Sequence, residues 1–279
     1  MNSLQTNQII EDLMKSDQSF MIDNKIFHSR LMLGTGNYRD IKEAVCSILA
    51  SNASMVTVAV RRLQNSHLAP QGSILSALPL ESVCLLPNTA GCTTVQEAIR
   101  VASLGNEMCK RLGQVDNKFI KLEVIADPQY LLPDPIGTLK AAEYLVNKGY
   151  SVLPYIFPDP ILAKQLEEIG CSTVMPLASP IGSGQGLQNL ENLQIILDTI
   201  SVPVIIDAGL GTSSDAVKAI EMGASAVLVN SAIAKAQKPV MMANAIHLGV
   251  LSGRYAYLAK RMKKSDRAIP SSPSAGLPF

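Results

Sequence analysis

The stretch SVLPYIFPDPILAKQLEEIGCSTVMP, residues 151–176, holds one complete repeating unit of the chain. Ser151–Tyr155 is a short apolar run of strand length. Asp159-Pro160 is a helix start, a capping side chain followed by proline at the first helical position, and the periodicity continues to Ile169. A second short run follows at Thr173–Pro176. Strand, helix and strand joined by short turns are the pattern of a parallel sheet.

Outward from this unit the alternation recurs in both directions. Strand-length runs occur at Arg30–Gly34, Met55–Val60, Val83–Pro87, Phe119–Val124, Ser151–Tyr155, Thr173–Pro176, Val202–Asp207 and Ala226–Asn230. Helical periodicity is clear at Thr93–Leu112, Pro135–Lys148, Asp159–Ile169, Leu190–Thr199, Ser213–Met222 and Pro239–Leu251. Eight βα units close a barrel, so the predicted fold class is α/β, a parallel eight-stranded (β/α)8 TIM barrel. The unit after the second run is irregular, since QNSHLAPQGS between Arg62 and Leu80 reads as loop with one short helix. The pattern sets residues 27–262 as one barrel catalytic domain, with an N-terminal extension at 1–26. The tail at 263–279 is Ser/Pro/Gly-rich, a composition of disorder.

Composition narrows the function classes. The chain has 279 residues, 47% hydrophobic, with a net charge of +1 and both signs interleaved. No window reaches the roughly 18 uninterrupted apolar residues of a membrane span, and no basic field is present to draw nucleic acid. Neither membrane nor nucleic acid is an expected partner. The five cysteines are scattered without a CxxC pair, and His28, His67 and His247 show no ligand spacing, so neither a disulfide framework nor a metal site is expected. Met1 to Phe20 lacks the look of a secretory or transit segment, which predicts a cytoplasmic protein, or a plastid one if plastid-encoded.

Chemistry in such a barrel lies at the C-terminal ends of the strands. In Phe119–Val124 the charges are Lys121 and Glu123, and period two puts both on one face, into the lumen, with Leu122 and Val124 outward. Burial there favours a neutral amine, the form that attacks a carbonyl to make an imine, and Glu123 is placed to move protons. Asp207 closes the seventh run and aims at the same space. Lys121, Glu123 and Asp207 are therefore the catalytic candidates, although an ion pair of purely structural use fits the same residue types. Small residues in the loops after the last strands, Gly209, Gly211, Asn230 and Ser231, suit a phosphate cradle, where backbone N–H groups converge on an anion. Of Arg61 and Arg62, adjacent on a strand, at most one faces an anion. Cys92 reads as a plain buried thiol. A class I aldolase or sugar-phosphate isomerase would use the same lysine and cradle.

These residues sit in motifs that resemble the thiazole synthase family of thiamin biosynthesis over about residues 27 to 262. The motifs are LGTGNY (33–38), VTVAVRR (56–62), LLPNTAGC (85–92), KLEV (121–124), DPQYLLPD (127–134), VLPY (152–155), MPLASPIGSGQG (175–186), DAGLGTSSDA (207–216) and VLVNSAIA (227–234). The resemblance implies an imine between Lys121 and 1-deoxy-D-xylulose 5-phosphate, with Glu123 and Asp207 transferring protons. It also implies sulfur from a thiocarboxylated sulfur carrier protein, and condensation with dehydroglycine made by a separate dehydroglycine-producing enzyme. Substrate contacts of the family fall on Gly182, Ala208, Gly209, Asn230 and Ser231, and the chain is expected to form a homo-oligomer and to need no cofactor. Ala178 stands where glycine is common, and Ser231 where threonine is common but with the hydroxyl kept.

Overall fold

The structure is a computed structural model that describes residues 19–61 and 74–271. Residues 1–18, Arg62, His67, the QNSHLAPQGS segment and the last eight residues lie outside the described residues.

A hairpin comes first, β1 (Phe20–Ile22) against β2 (Lys25–Phe27). Eight parallel strands follow: β3 (Leu31–Gly34), β4 (Met55–Ala59), β5 (Cys84–Asn88), β6 (Phe119–Leu122), β7 (Ser151–Ile156), β8 (Met175–Pro176), β9 (Ile205–Ile206) and β10 (Ala226–Val229). Each pairs with its neighbour in chain order, and β10 returns to β3. Between β8 and β9 the ring closes through single bridges, Val174 with Val204 and Leu177 with Asp207. The predicted (β/α)8 barrel is therefore observed, with its sixth and seventh strands shortened to two residues each.

Alternation along the strands sorts side chains into two cores. Leu31, Leu33, Val56, Val58, Ile120, Leu122 and Val124 face the helices. Met32, Met55, Leu86, Phe119, Leu153 and Met175 fill the lumen at its N-terminal end. The hairpin packs under this inner layer through Ile22 and Phe27, the Phe27 ring meeting Phe119 edge-on at 5.7 Å. Residues 20–26, grouped in the sequence with the extension, thus form part of the barrel floor.

The helices start where capping chemistry places them. Asp159 accepts from the N–H groups of Ile161 and Leu162, and its helix runs Pro160–Glu168. The helix Ile41–Ser51, absent from the clear sequence patterns, is capped by Asp40 through Glu43 N–H. The last helix runs Pro239–Ala259 rather than stopping at Leu251. Gly253, which interrupts the apolar pattern with Ser252, lies close against the helix Ser213–Glu221: a Cβ on Gly253 would come within 2.8 Å of Val217 O. No helix of the described residues is long and apolar enough to cross a membrane.

Candidate active site

The β6 alternation carries Lys121 into the lumen above the apolar floor, beside Asn88 of β5 in register. Glu123 stands just past the strand end, where its backbone needs another partner. Thr89 provides it: the Thr89 hydroxyl accepts from Glu123 N–H at 2.7 Å and donates to Glu123 C=O at 2.8 Å. One side chain thereby extends the β5–β6 ladder and fixes the carboxylate's direction. Thr89→Val keeps the shape but orphans both buried groups; urea unfolding should show a loss of about 1–3 kcal/mol, with kcat falling alongside.

Asp207 reaches the same point from β9. Lys121 Nζ lies 2.5 Å from Asp207 Oδ2 and 3.3 Å from Glu123 Oε1, and all three side chains are at most 8% exposed. Asp207 Oδ1 accepts from Ala208 N–H at 2.7 Å, which locks the carboxylate to the loop. Burial pulls the lysine's pKa down, but Asp207 and Glu123 outweigh it and the net direction is up. The expectation of a neutral resting amine is thus corrected: between two carboxylates the lysine rests as an ammonium. Glu123 moves the other way from an ordinary surface acid. Burial raises its pKa against the pull of Lys121, so it is suited to take up a proton.

Above these groups is a cavity of about 340 Å³, a volume suited to a small ligand, lined by the trio and by Gly182, Ala208, Gly209, Asn230 and Ser231. Among the described residues, the N–H groups of Gly182 and Gly209 and the Ser231 hydroxyl make no hydrogen bond. They are open donors for an anion. The Asn230 amide, turned with its nitrogen inward, donates to Gly36 O at 2.9 Å and braces the β3 and β10 ends together. Ala208 has φ +47, a left-handed conformation that is uncommon for a residue with a Cβ.

Not every predicted residue arrives. Gly211 is outside the cavity, and its N–H is committed to Asp215 at 2.9 Å in the capping arrangement of the next helix. The guanidinium of Arg61 is taken by Gly91 O and by Glu97 at 3.2 Å. Cys92 is fully buried, its thiol pKa raised foremost by burial.

Three residues the sequence patterns did not single out are present. Asn88 lines the cavity wall. Tyr155 packs its ring toward Lys121, with Nζ 5.5 Å from the centroid. Lys235 brings its Nζ to the far end: a Cβ on Gly182 would lie 3.7 Å from both Lys235 Nζ and Ser231 Oγ. Among the described residues Lys235 has no carboxylate partner. The strand period alone marks Tyr155, in phase with Leu153, as inward-facing; nothing local marks Lys235.

Comparison with known proteins places the chain among relatives. The family model for thiazole biosynthesis protein ThiG matches residues 21–273. A thiazole synthase of Gracilaria tenuistipitata var. liui is 62% identical over 269 residues, covering 96% of this chain and 98% of that relative. A bifunctional protein ThiO/ThiG of Trichormus variabilis is 58% identical over 260 residues, 93% of this chain but 40% of the longer relative. Among solved structures, the Amycolatopsis orientalis BexX/CysO complex superposes with a TM-score of 0.77 at 29% identity, covering 88% of this chain and 98% of that one.

Proposed function

The chain belongs to the thiazole biosynthesis protein ThiG family and is an enzyme of thiazole synthesis, and on that premise we propose that Lys121 holds 1-deoxy-D-xylulose 5-phosphate as a Schiff base. The observation that carries this is the placement of Lys121, the one buried lysine among the described residues, between two carboxylates under open anion donors.

The ammonium first gives a proton to Glu123, whose raised pKa suits it to receive one. The freed amine attacks the ketone carbon, a C–N bond forms, and Glu123 returns the proton to the departing hydroxyl, which leaves as water. Protonation of the imine acidifies the adjacent C–H, and Asp207, 2.5 Å from the nitrogen in the resting state, removes that proton so that the carbonyl moves along the sugar. The phosphate rests at the other end of the cavity on Gly182, Gly209 and Ser231, with Ala208 and Asn230 shaping the turn around it.

Sulfur then arrives as the thiocarboxylate of a carrier protein, and dehydroglycine from a separate enzyme completes the ring. Two likenesses support these partners: one neighbour of known structure is a two-protein complex, BexX/CysO, and one relative joins ThiO and ThiG in a single chain. A carrier's tail has an apolar entrance, since Leu131 and Ile181 line the cavity and are 36% and 39% exposed. We further place the enzyme in a homo-oligomer, in the cytoplasm or, for a plastid-encoded chain, in the plastid. An aldolase reading would dispense with the sulfur donor, and nothing at the site favours it.

The test is intact-protein mass measurement after borohydride reduction in the presence of 1-deoxy-D-xylulose 5-phosphate. Wild type should gain the mass of the reduced sugar phosphate and Lys121→Ala should not. A gain in neither protein, or in both, overturns the assignment. Lys235→Ala separately tests the phosphate end: loss of one charge-assisted contact should raise KM for the sugar phosphate about tenfold, while kcat stays within about twofold and the borohydride adduct still forms at saturating substrate.

A further inference from the structure

Beside the reacting groups are two polar atoms whose hydrogen bonding is incomplete. Tyr155 on β7 is wholly buried, packed with Ile125 and Leu177, and its hydroxyl has no hydrogen-bond partner. Buried hydroxyls are rarely left so, because water solvates them in the unfolded chain and nothing replaces it. Asp207 Oδ2 is the second: it too lacks an aligned hydrogen bond, and what neutralises it is the ion pair with Lys121. Its other oxygen is already committed to Ala208 N–H. A donor without an acceptor is therefore carried by the ring that faces Lys121 Nζ at 5.5 Å, and Lys121, which holds Asp207 Oδ2, is the very group that the proposed reaction consumes.

That coincidence has a chemical sense. As an ammonium, Lys121 has three N–H groups and holds Asp207 and Glu123 together. As an imine it has one proton at most, and none when neutral. Asp207 would then be a buried carboxylate with its principal partner gone, at the stage where it must act as a base in a defined direction. The phenol is suited to take that place. Burial, then the charges of Asp207 and Glu123, push its pKa far up, so it stays protonated and donates without competing for the substrate's proton. Its ring face, 5.5 Å from Nζ, also lies in the range where an aromatic stabilises a cation, the ammonium before reaction and the protonated imine after it.

Building on the Schiff-base reading above, we propose that Tyr155 is a positioning residue whose hydroxyl takes over Asp207 Oδ2 when Lys121 becomes an imine. The ring serves the cation in both states, and the hydroxyl serves the carboxylate only in the second. No bond to the substrate is made or broken by Tyr155.

Tyr155→Phe separates the two parts, since it keeps the ring and removes the oxygen. In the full-length enzyme with 1-deoxy-D-xylulose 5-phosphate, the variant should give a borohydride adduct within twofold of wild type and an unchanged KM. Exchange of the sugar's C–H for solvent deuterium, read by mass, should fall about tenfold, and kcat with it. Tyr155→Leu, which removes the ring as well, should also lower adduct formation. Exchange and kcat within twofold of wild type in Tyr155→Phe would overturn the inference. So would a fall in adduct, exchange and Tm together, which is what a space-filling role gives. Wild-type enzyme that forms no adduct overturns the Schiff-base reading itself, a result distinct from either.

Discussion

Lys121→Ala should abolish the borohydride adduct and lower kcat/KM by on the order of 10⁴-fold or more, the scale seen when the nucleophile of a covalent mechanism is removed. Its effect on folding is as informative. Removing one partner of a buried ion pair leaves the others without compensation, at a cost of about 3–5 kcal/mol. Here two carboxylates are left, and for Glu123 the causes that remain, burial and the charge of Asp207, both push its pKa further up. A group whose folded pKa is raised contributes stability that is fully present below its unfolded value and is lost as pH rises through the folded one. The deficit of Lys121→Ala relative to wild type should therefore be small near pH 4 to 5 and grow toward neutrality, measurable as Tm across pH. Lys121→Arg keeps the cation but not a deprotonable amine; it should recover much of the stability and none of the adduct. A deficit that is flat with pH would mean that the carboxylates are not held by this lysine.

The direction of the Lys121 pKa shift shows where sequence stops being informative. The alternation Phe-Ile-Lys-Leu-Glu-Val fixes which way the lysine points, because period two is local. Its charge state depends on Asp207, which approaches from a strand three units further along the chain and reaches Nζ at 2.5 Å. Burial alone argues for a neutral amine, and two carboxylates at contact distance outweigh it. The register that brings them there is a property of the closed barrel.

Other elements divide along the same line between local and tertiary causes. The start at Asp159-Pro160 is legible because capping is settled within four residues. Thr212-Ser-Ser-Asp215 is equally legible as a capping box, and it accounts for Gly211, whose N–H the Asp215 carboxylate takes. The sixth and seventh strands lie where the apolar runs put them but are only two residues long, and the single bridges Val174–Val204 and Leu177–Asp207 that join them are set by closure of the barrel rather than by local pattern. Lys235 follows a short helical turn, Ser231–Ala234, and only the folded loop after β8 brings Gly182 beneath it. No periodicity carries that information.

Gly209 is where the two phosphate-side loops are pressed together, and its substitution should have the largest effect of any single methyl group in the site. The backbone has φ +73, and a Cβ there would come within 2.5 Å of Ser179 O, with the Ser179 hydroxyl closer still. That hydroxyl donates to Gly209 O at 3.1 Å, and Gly186 N–H donates to the same oxygen at 2.9 Å, so the contact cannot relax without parting the loops after β8 and β9. Gly209→Ala should cost more than about 3 kcal/mol, since both a main-chain clash and a left-handed conformation are forced. With the donors displaced by even an ångström, kcat/KM should fall by about 10²-fold in the protein that still folds. Gly182→Ala is the informative contrast. Its φ of +74 imposes a similar backbone penalty, about 1 kcal/mol, yet the nearest atoms are the side-chain ends of Lys235 and Ser231 at 3.7 Å. The added methyl would occupy the place assigned to phosphate rather than a wall of the fold. Its Tm should therefore stay near that of wild type while KM for the sugar phosphate rises and competition by inorganic phosphate weakens. Should Gly182→Ala bind the sugar phosphate as wild type does, the anion does not lie between Gly182, Ser231 and Lys235, and the open N–H of Gly209 must serve some other part of the substrate.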